Sequence, residues 1–117
     1  MTDLVANLST GKGTWGHVGR LINEKDWTNI YLITNEFGQK NFTTEKKVNF
    51  IVINPITPLE EIKNYITAEL KDKLKNEVAL NVVSGSGKEH MAIIAALFNL
   101  GIGIRLIAIT QDGIKEI

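Results

Sequence analysis

"LVANLSTGKGTWGH", residues 4–17, passes from a short apolar run into a loop holding Gly11, Gly13 and Gly16 around a lysine, a tryptophan and a histidine. An apolar run of five residues that stops at Ser9 and Thr10 reads as a buried strand leaving a sheet. A helix is expected from about residue 14 to 24, starting inside the loop. Strand, glycine-rich turn and helix in succession open an α/β unit. The glycines are spaced G-x-G-x-x-G, the pattern of a dinucleotide fingerprint.

The same grammar repeats downstream. "NIYLIT" (29–34), "VNFIVIN" (48–54), "VALNVV" (78–83) and "RLIAIT" (105–110) are short, rich in β-branched residues and mostly non-alternating. Such runs fit strands covered on both faces of a parallel sheet. "TPLEEIKNYITAELKDKLK" (57–75) predicts a helix with Thr57 as N-cap, Pro58 at the first helical position and Glu60 completing a capping box. Its apolar face runs through Leu59, Ile62, Ile66, Leu70 and Leu74, and Glu69 is placed to pair with Lys73. A further helix is expected from about Lys88 to Leu100. "EFGQKNFTTEKK" (36–47) is polar and short, and is expected to be a mobile flap rather than a helix. Asp112-Gly113 is a hairpin pair, so a short antiparallel edge strand is expected at the end.

These elements predict one α/β domain over residues 1–117, with five mainly parallel strands in the order 3-2-1-4-5, helices on both faces and right-handed crossovers. The helix near residues 88–100 has no polar residue from Met91 to Phe98. Its second face must meet another helix of the chain or a second copy of the protein; few other elements are available, which favours the second copy.

Composition bounds the function. Thirteen basic residues balance thirteen acidic ones, so no global positive field recruits duplex nucleic acid. There is no cysteine and there are two histidines, which leaves no thiolate metal site; neither metal nor cofactor is expected. No apolar stretch has the length of a membrane span and no basic leader opens the chain, so a soluble cytoplasmic protein is expected.

Every apolar run ends in polar or glycine residues, and in a parallel sheet those exits share one edge. Ligands of open α/β sheets bind at that edge, in the crevice where strand order reverses. With the order 3-2-1-4-5 this crevice lies between strands one and four, which carry "STGKGTWGH" (9–17) and "SGSGKEH" (84–90). Each loop leads into a helix, so free amides and the positive end of a helix dipole face the crevice. Lys12 and Lys88 add a full charge each. The pair of loops points to a phosphate site built from Ser9, Thr10, Gly11, Lys12, Gly13, Thr14 and Trp15 on one wall and Ser84, Gly85, Ser86, Gly87 and Lys88 on the other.

Glu36 lies twenty residues after Gly16 and stands where a dinucleotide-binding domain holds a ribose, with Asn35 beside it. Lys12 within the glycine motif, Ser9 and Thr10 before it, and the lack of a following substrate domain argue the other way. A Walker loop is excluded, because Val82 replaces its first glycine and Glu89 its metal-binding hydroxyl. Trp15 is suited either to stacking on a base or to packing. His17 and His90 lie just inside helix starts, without a local acid at triad spacing.

"NVVSGSGKEHMAIIAAL" (81–97) resembles the signature of the CARF family, the CRISPR-associated Rossmann-fold domains: a hydroxyl residue, a small glycine-rich turn and a basic residue opening a helix. Ser84 and Lys88 match the hydroxyl and the base, with Asn81 upstream. Ser9 to Trp15 matches the family's other ligand loop, and "RLIAITQDGIKEI" (105–117) its closing strand pair. Gly87 stands where many members carry threonine or serine, and no effector domain lies within these residues. The resemblance implies a Rossmann-like homodimer that binds a cyclic oligoadenylate of type III CRISPR signalling, cyclic tetra-adenylate above all. Some members cleave the ring without metal; here that would draw on Lys12, Lys88, His17 or His90. A dinucleotide-binding regulatory domain remains the alternative.

Overall fold

A computed structural model describes residues 2–117. The chain forms β1 (Asp3–Leu8), a short 3-10 turn (Lys12–Thr14), α1 (Trp15–Glu24), β2 (Ile30–Thr34), α2 (Glu36–Asn41), β3 (Asn49–Val52), α3 (Leu59–Leu70), β4 (Glu77–Asn81), α4 (Gly87–Asn99), β5 (Gly103–Thr110) and β6 (Gly113–Glu116). The strands form one sheet in the order β3-β2-β1-β4-β5-β6. The first five are parallel, and β6 returns antiparallel to β5 through a two-residue turn at Gln111-Asp112, one residue earlier than the expected Asp112-Gly113 pair, because Gly113 already pairs with Thr110. This is the predicted Rossmann-like α/β architecture, edge strand included. The chain runs outward from β1 to β3, then crosses back to place β4 beside β1, so the switch point lies between those two strands.

Alternation along β1 builds two cores. Leu4, Ala6 and Leu8 face α1 and pack with its Val18, Leu21 and Ile22, while Val5 faces α3 and α4 with Ile62, Ile66, Leu70, Ile93 and Leu97. Burying each of these large aliphatic side chains contributes roughly 1.5–3 kcal/mol. The α1 residues stand at i, i+3 and i+4, the spacing that puts them on one side of a helix. No helix among the described residues is long and apolar enough to cross a membrane.

Several elements depart from the sequence expectations. Residues 36–41 form α2 instead of an irregular flap. Asn35 caps it, its Oδ1 accepting the Gly38 N–H at 2.8 Å, and Glu36 and Lys40 form an ion pair at 2.8 Å one turn apart. Beyond α2, Phe42 is buried in the α1 core. A cap, a pair and one apolar anchor are enough for two turns.

α3 starts at Leu59 and stops at Leu70, without the expected Thr57 cap or capping box. Thr57 belongs instead to a turn: its N–H donates to the Asn54 carbonyl at 3.0 Å, and Ile56 N–H donates to Asn54 Oδ1 at 3.2 Å. Asp72 at φ 64° turns the chain beyond the helix end, so Glu69 and Lys73 do not share a helix. The capping box occurs on α4, where Ser86 Oγ accepts the Glu89 N–H at 3.2 Å and Glu89 Oε1 accepts the Ser86 N–H at 2.8 Å.

β4 ends at Asn81, two residues early, because Asn81 Oδ1 accepts the Val83 N–H at 3.3 Å and turns the chain out of the sheet. β5 is not covered on both faces, and Leu106 remains 44% exposed. α4 packs its Ala92, Ile93, Ala96 and Leu97 with residues of α3 and the sheet, so a helix of the same chain takes part of its apolar surface. Met91 and Phe98 are nevertheless 62% and 68% exposed.

Candidate functional site

The β1 and β4 exits bring the two glycine-rich loops into direct contact. Ser84 Oγ accepts the Ser9 backbone N–H at 2.7 Å and lies 3.0 Å from Ser9 Oγ. Residues 75 positions apart thus close one wall onto the other. Each loop is also fixed from behind. Trp15 Nε1–H donates to the Ser9 carbonyl at 2.8 Å, and His90 Nε2–H donates to the Ser84 carbonyl at 2.8 Å.

Beneath the second loop lies a tight polar packing. Gly85 adopts φ +103°, and a Cβ there would stand 1.6 Å from Asn7 Oδ1 and 2.9 Å from Glu89 Oε1. Only glycine fits both the left-handed backbone and that approach. Asn7 is fully buried; its Nδ2 donates to the Ile33 carbonyl at 2.9 Å, while Oδ1 has no hydrogen-bond partner among the described residues. Glu89, 5% exposed, spends one carboxylate oxygen on the capping box.

In the first loop, Lys12, Gly13 and Thr14 form the 3-10 turn, with Gly11 leading in and α1 following. A Cβ at Gly13 or Gly16 would meet nothing within 4 Å, so neither glycine is required by internal packing. In a dinucleotide fingerprint the third glycine permits close helix–strand packing. Gly16 has no such role here. Glu36 does stand at the β2 exit, but its side chain is paired with Lys40, whose hydrogen bond and charge hold the carboxyl below its ordinary range. Asn35 is committed as well, capping α2 and donating from Nδ2 to Thr10 Oγ1. Neither feature favours a dinucleotide site.

Each of the two lysines contacts a residue that lines one groove. Lys12 Nζ lies 5.6 Å from the Phe37 ring centroid and 5.7 Å from that of Trp15. Lys88 Nζ donates to the Pro55 carbonyl at 2.9 Å. Phe37 and Pro55 both line a groove of about 400 Å³ at the exits of β2 and β3, with Asn35, Glu36, Val52 and Asn54. Of these, sequence reasoning had singled out only Asn35 and Glu36 as site residues. Phe37 was missed with the helix that presents it, and Pro55 because a turn after β3 carries no glycine motif; Asn54 was read only as a strand exit.

Trp15 serves as an anchor: half-buried, it packs edge-on against Phe42 at 5.6 Å and tilted against Phe37 at 6.0 Å. His17 points away from the loops. Its Nε2 lies 3.1 Å from Asn81 Nδ2 and 3.3 Å from the Ile109 N–H. Both neighbours donate, because Asn81 Nδ2 also donates to the Ile107 carbonyl, so the ring is neutral with its proton on Nδ1. Burial, and then the Arg20 charge, lower its pKa from the ordinary imidazole value. The ring fastens α1 to β4 and β5.

The structure therefore joins Ser9 to Ser84 and Thr10 to Asn35 by hydrogen bonds, sets Lys12 against Phe37 and Lys88 against Pro55, and holds the two histidines in structural bonds. The chain matches no known protein-family model and no curated protein.

Proposed function

We propose that the protein binds a cyclic oligoadenylate, as the CARF domains it resembles do, with cyclic tetra-adenylate as the working ligand and a homodimer as the binding form. The observation that carries this reading is the Ser9–Ser84 junction, which makes one site of two glycine–lysine loops at the β1/β4 switch point. Loop amides, two helix starts and two exposed ammonium groups favour phosphate there, although the chain as a whole has no net charge. The open space over Gly13 and Gly16 lets a phosphate approach the backbone.

Homodimerisation is supported by the apolar surface left on α4 and β5. Met91, Phe98 and Leu106 are exposed, and α3 does not cover them. Two-fold symmetry would double Lys12 and Lys88, matching a ring that bears several phosphates.

Ring cleavage is a narrower matter. The chemistry needs a ribose 2′-hydroxyl to attack its own phosphate, forming a 2′,3′-cyclic phosphate and expelling the 5′-oxygen, which takes up a proton. Lys12, Lys88 and the loop amides suit the developing charge. His17 and His90 each spend Nε2 on a structural bond, so the geometry supports binding more than proton transfer. Melting the protein with and without cyclic tetra-adenylate, and separating the products afterwards, tests both parts. Stabilisation with an intact ring is expected; no stabilisation would remove the proposal.

A further inference from the structure

We infer that a groove at the strand starts, on the opposite edge of the sheet from the glycine-rich loops, binds a small zwitterion with an ammonium and a carboxylate group, an α-amino acid in chemical class. The inference is independent of the function proposed above. β1 and β2 run side by side with Leu4 opposite Ile30, so Asp3 stands opposite Asn29 one residue earlier. Alternation turns both toward the face of Val5 and Tyr31, the side on which α3 packs. α3 ends at Leu70, and Asp72 turns the chain so that Lys73 and Lys75 reach the strand starts. The result is a groove of about 390 Å³ lined by Asp3, Thr28, Asn29, Lys73, Lys75 and Glu77. A second groove shares Asn29 and Lys73 with it and continues past Tyr31. The walls are fixed by the backbone: Leu4 N–H donates to the Asn29 carbonyl at 2.9 Å, and Thr28 N–H to the Thr2 carbonyl at 3.0 Å.

The floor of the groove is rich in acceptors. Asp3 is 8% exposed, yet among the described residues its carboxylate makes no ion pair and accepts only from Asn29 Nδ2, at 3.1 Å. A carboxylate drawn this far out of water is costly without a cation. Asn29 Oδ1 and the Thr28 hydroxyl stand beside it with acceptor capacity unspent among the described residues. Tyr31 lies close enough to feel the same charge: burial, and then Asp3, hold its phenol above the ordinary range. An ammonium group brings three N–H donors and one positive charge, which suits this floor. The rim has the opposite character. Lys73 and Lys75 are exposed and make no ion pair among the described residues, while Glu77 is spent on Arg105 at 2.9 Å. Two unpaired ammonium groups over a buried carboxylate suit a ligand with both charges. A plain amine leaves the lysines unmatched and is repelled by them; a plain acid leaves Asp3 unmatched.

Amide shifts of the full chain with a panel of L-α-amino acids, and with the amine and the carboxylic acid that match the strongest of them, test the assignment. Shifts at residues 2–4, 28–31 and 73–77 are expected with at least one amino acid, and binding about tenfold or more weaker with either single-charge analogue. Asp3→Asn keeps an acceptor for Asn29 but removes the charge, and is expected to weaken the amino acid about tenfold or more; so is the double variant Lys73→Ala, Lys75→Ala. No shift with any amino acid would overturn the inference, as would equal binding of the amine alone, or unchanged affinity in both variants. Because both lysines are exposed, the double variant decides if Asp3→Asn fails to fold.

Discussion

Gly85 carries the geometry of the second loop, because its left-handed backbone lets the chain close over Asn7 while Glu89 caps the helix behind it. Gly85→Ala would force a methyl group to within 1.6 Å of Asn7 Oδ1 at a φ that alanine rarely adopts. A loss of about 2 kcal/mol or more is expected, read as a lower midpoint in chemical denaturation. Unchanged stability would show that the loop relaxes elsewhere. His17 makes a second prediction at this scale. Its folded pKa lies below its unfolded value, so the unfolded chain binds the extra proton first and stability falls as pH drops below about 6.5. Above that pH both states are neutral and the effect is absent. His17→Gln, whose amide oxygen can accept the same two N–H groups, should flatten the acid side of a melting-temperature profile; an unaltered slope would assign it to other groups. The presence of His17 and of Lys12 was plain from the sequence. That His17 turns inward and Lys12 lies against Phe37 was not, because both depend on Asn81, Ile109 and Phe37, residues far off along the chain or in a helix not foreseen.

Among the elements, the apolar runs of β1 and β2 and the periodic faces of α3 and α4 were legible because burial imposes a period on the sequence. α2 was not. Its stability comes from the Asn35 cap, the Glu36–Lys40 pair and the burial of Phe42; the first two were readable signals that the polarity of the segment outweighed. The end of α3 was misjudged because the apolar period continues to Leu74, which still packs partly on the core after the helix has ended. α4 carries a prediction of its own. Its Met91 and Phe98 lie on the side that α3 leaves open, and Phe98→Glu would place a charge in the centre of the proposed dimer contact. Sedimentation should find the wild type dimeric and the variant monomeric with its fold retained. A monomeric wild type would refute the contact.

For the whole molecule, strand order fixes where function can reside. The order β3-β2-β1-β4-β5-β6 could be inferred because short apolar strands alternating with helices admit few right-handed, uncrossed topologies. It places both glycine–lysine loops at one crevice, and the Ser9–Ser84 bond shows that they touch. The groove beyond them was hidden from the sequence, since it arises only where the turn after β3 and the start of α2 meet. A neutral chain can bind a polyanion if some of its exposed cations converge, and a two-fold dimer would bring four lysines to one ring. Calorimetric titration of cyclic tetra-adenylate into the wild type, Lys12→Ala and Lys88→Ala tests this most directly. One ring per two chains is expected, with a loss of about tenfold or more in affinity for each variant, from the removal of charged hydrogen bonds to phosphate. No detectable binding, or binding that neither substitution alters, would contradict it.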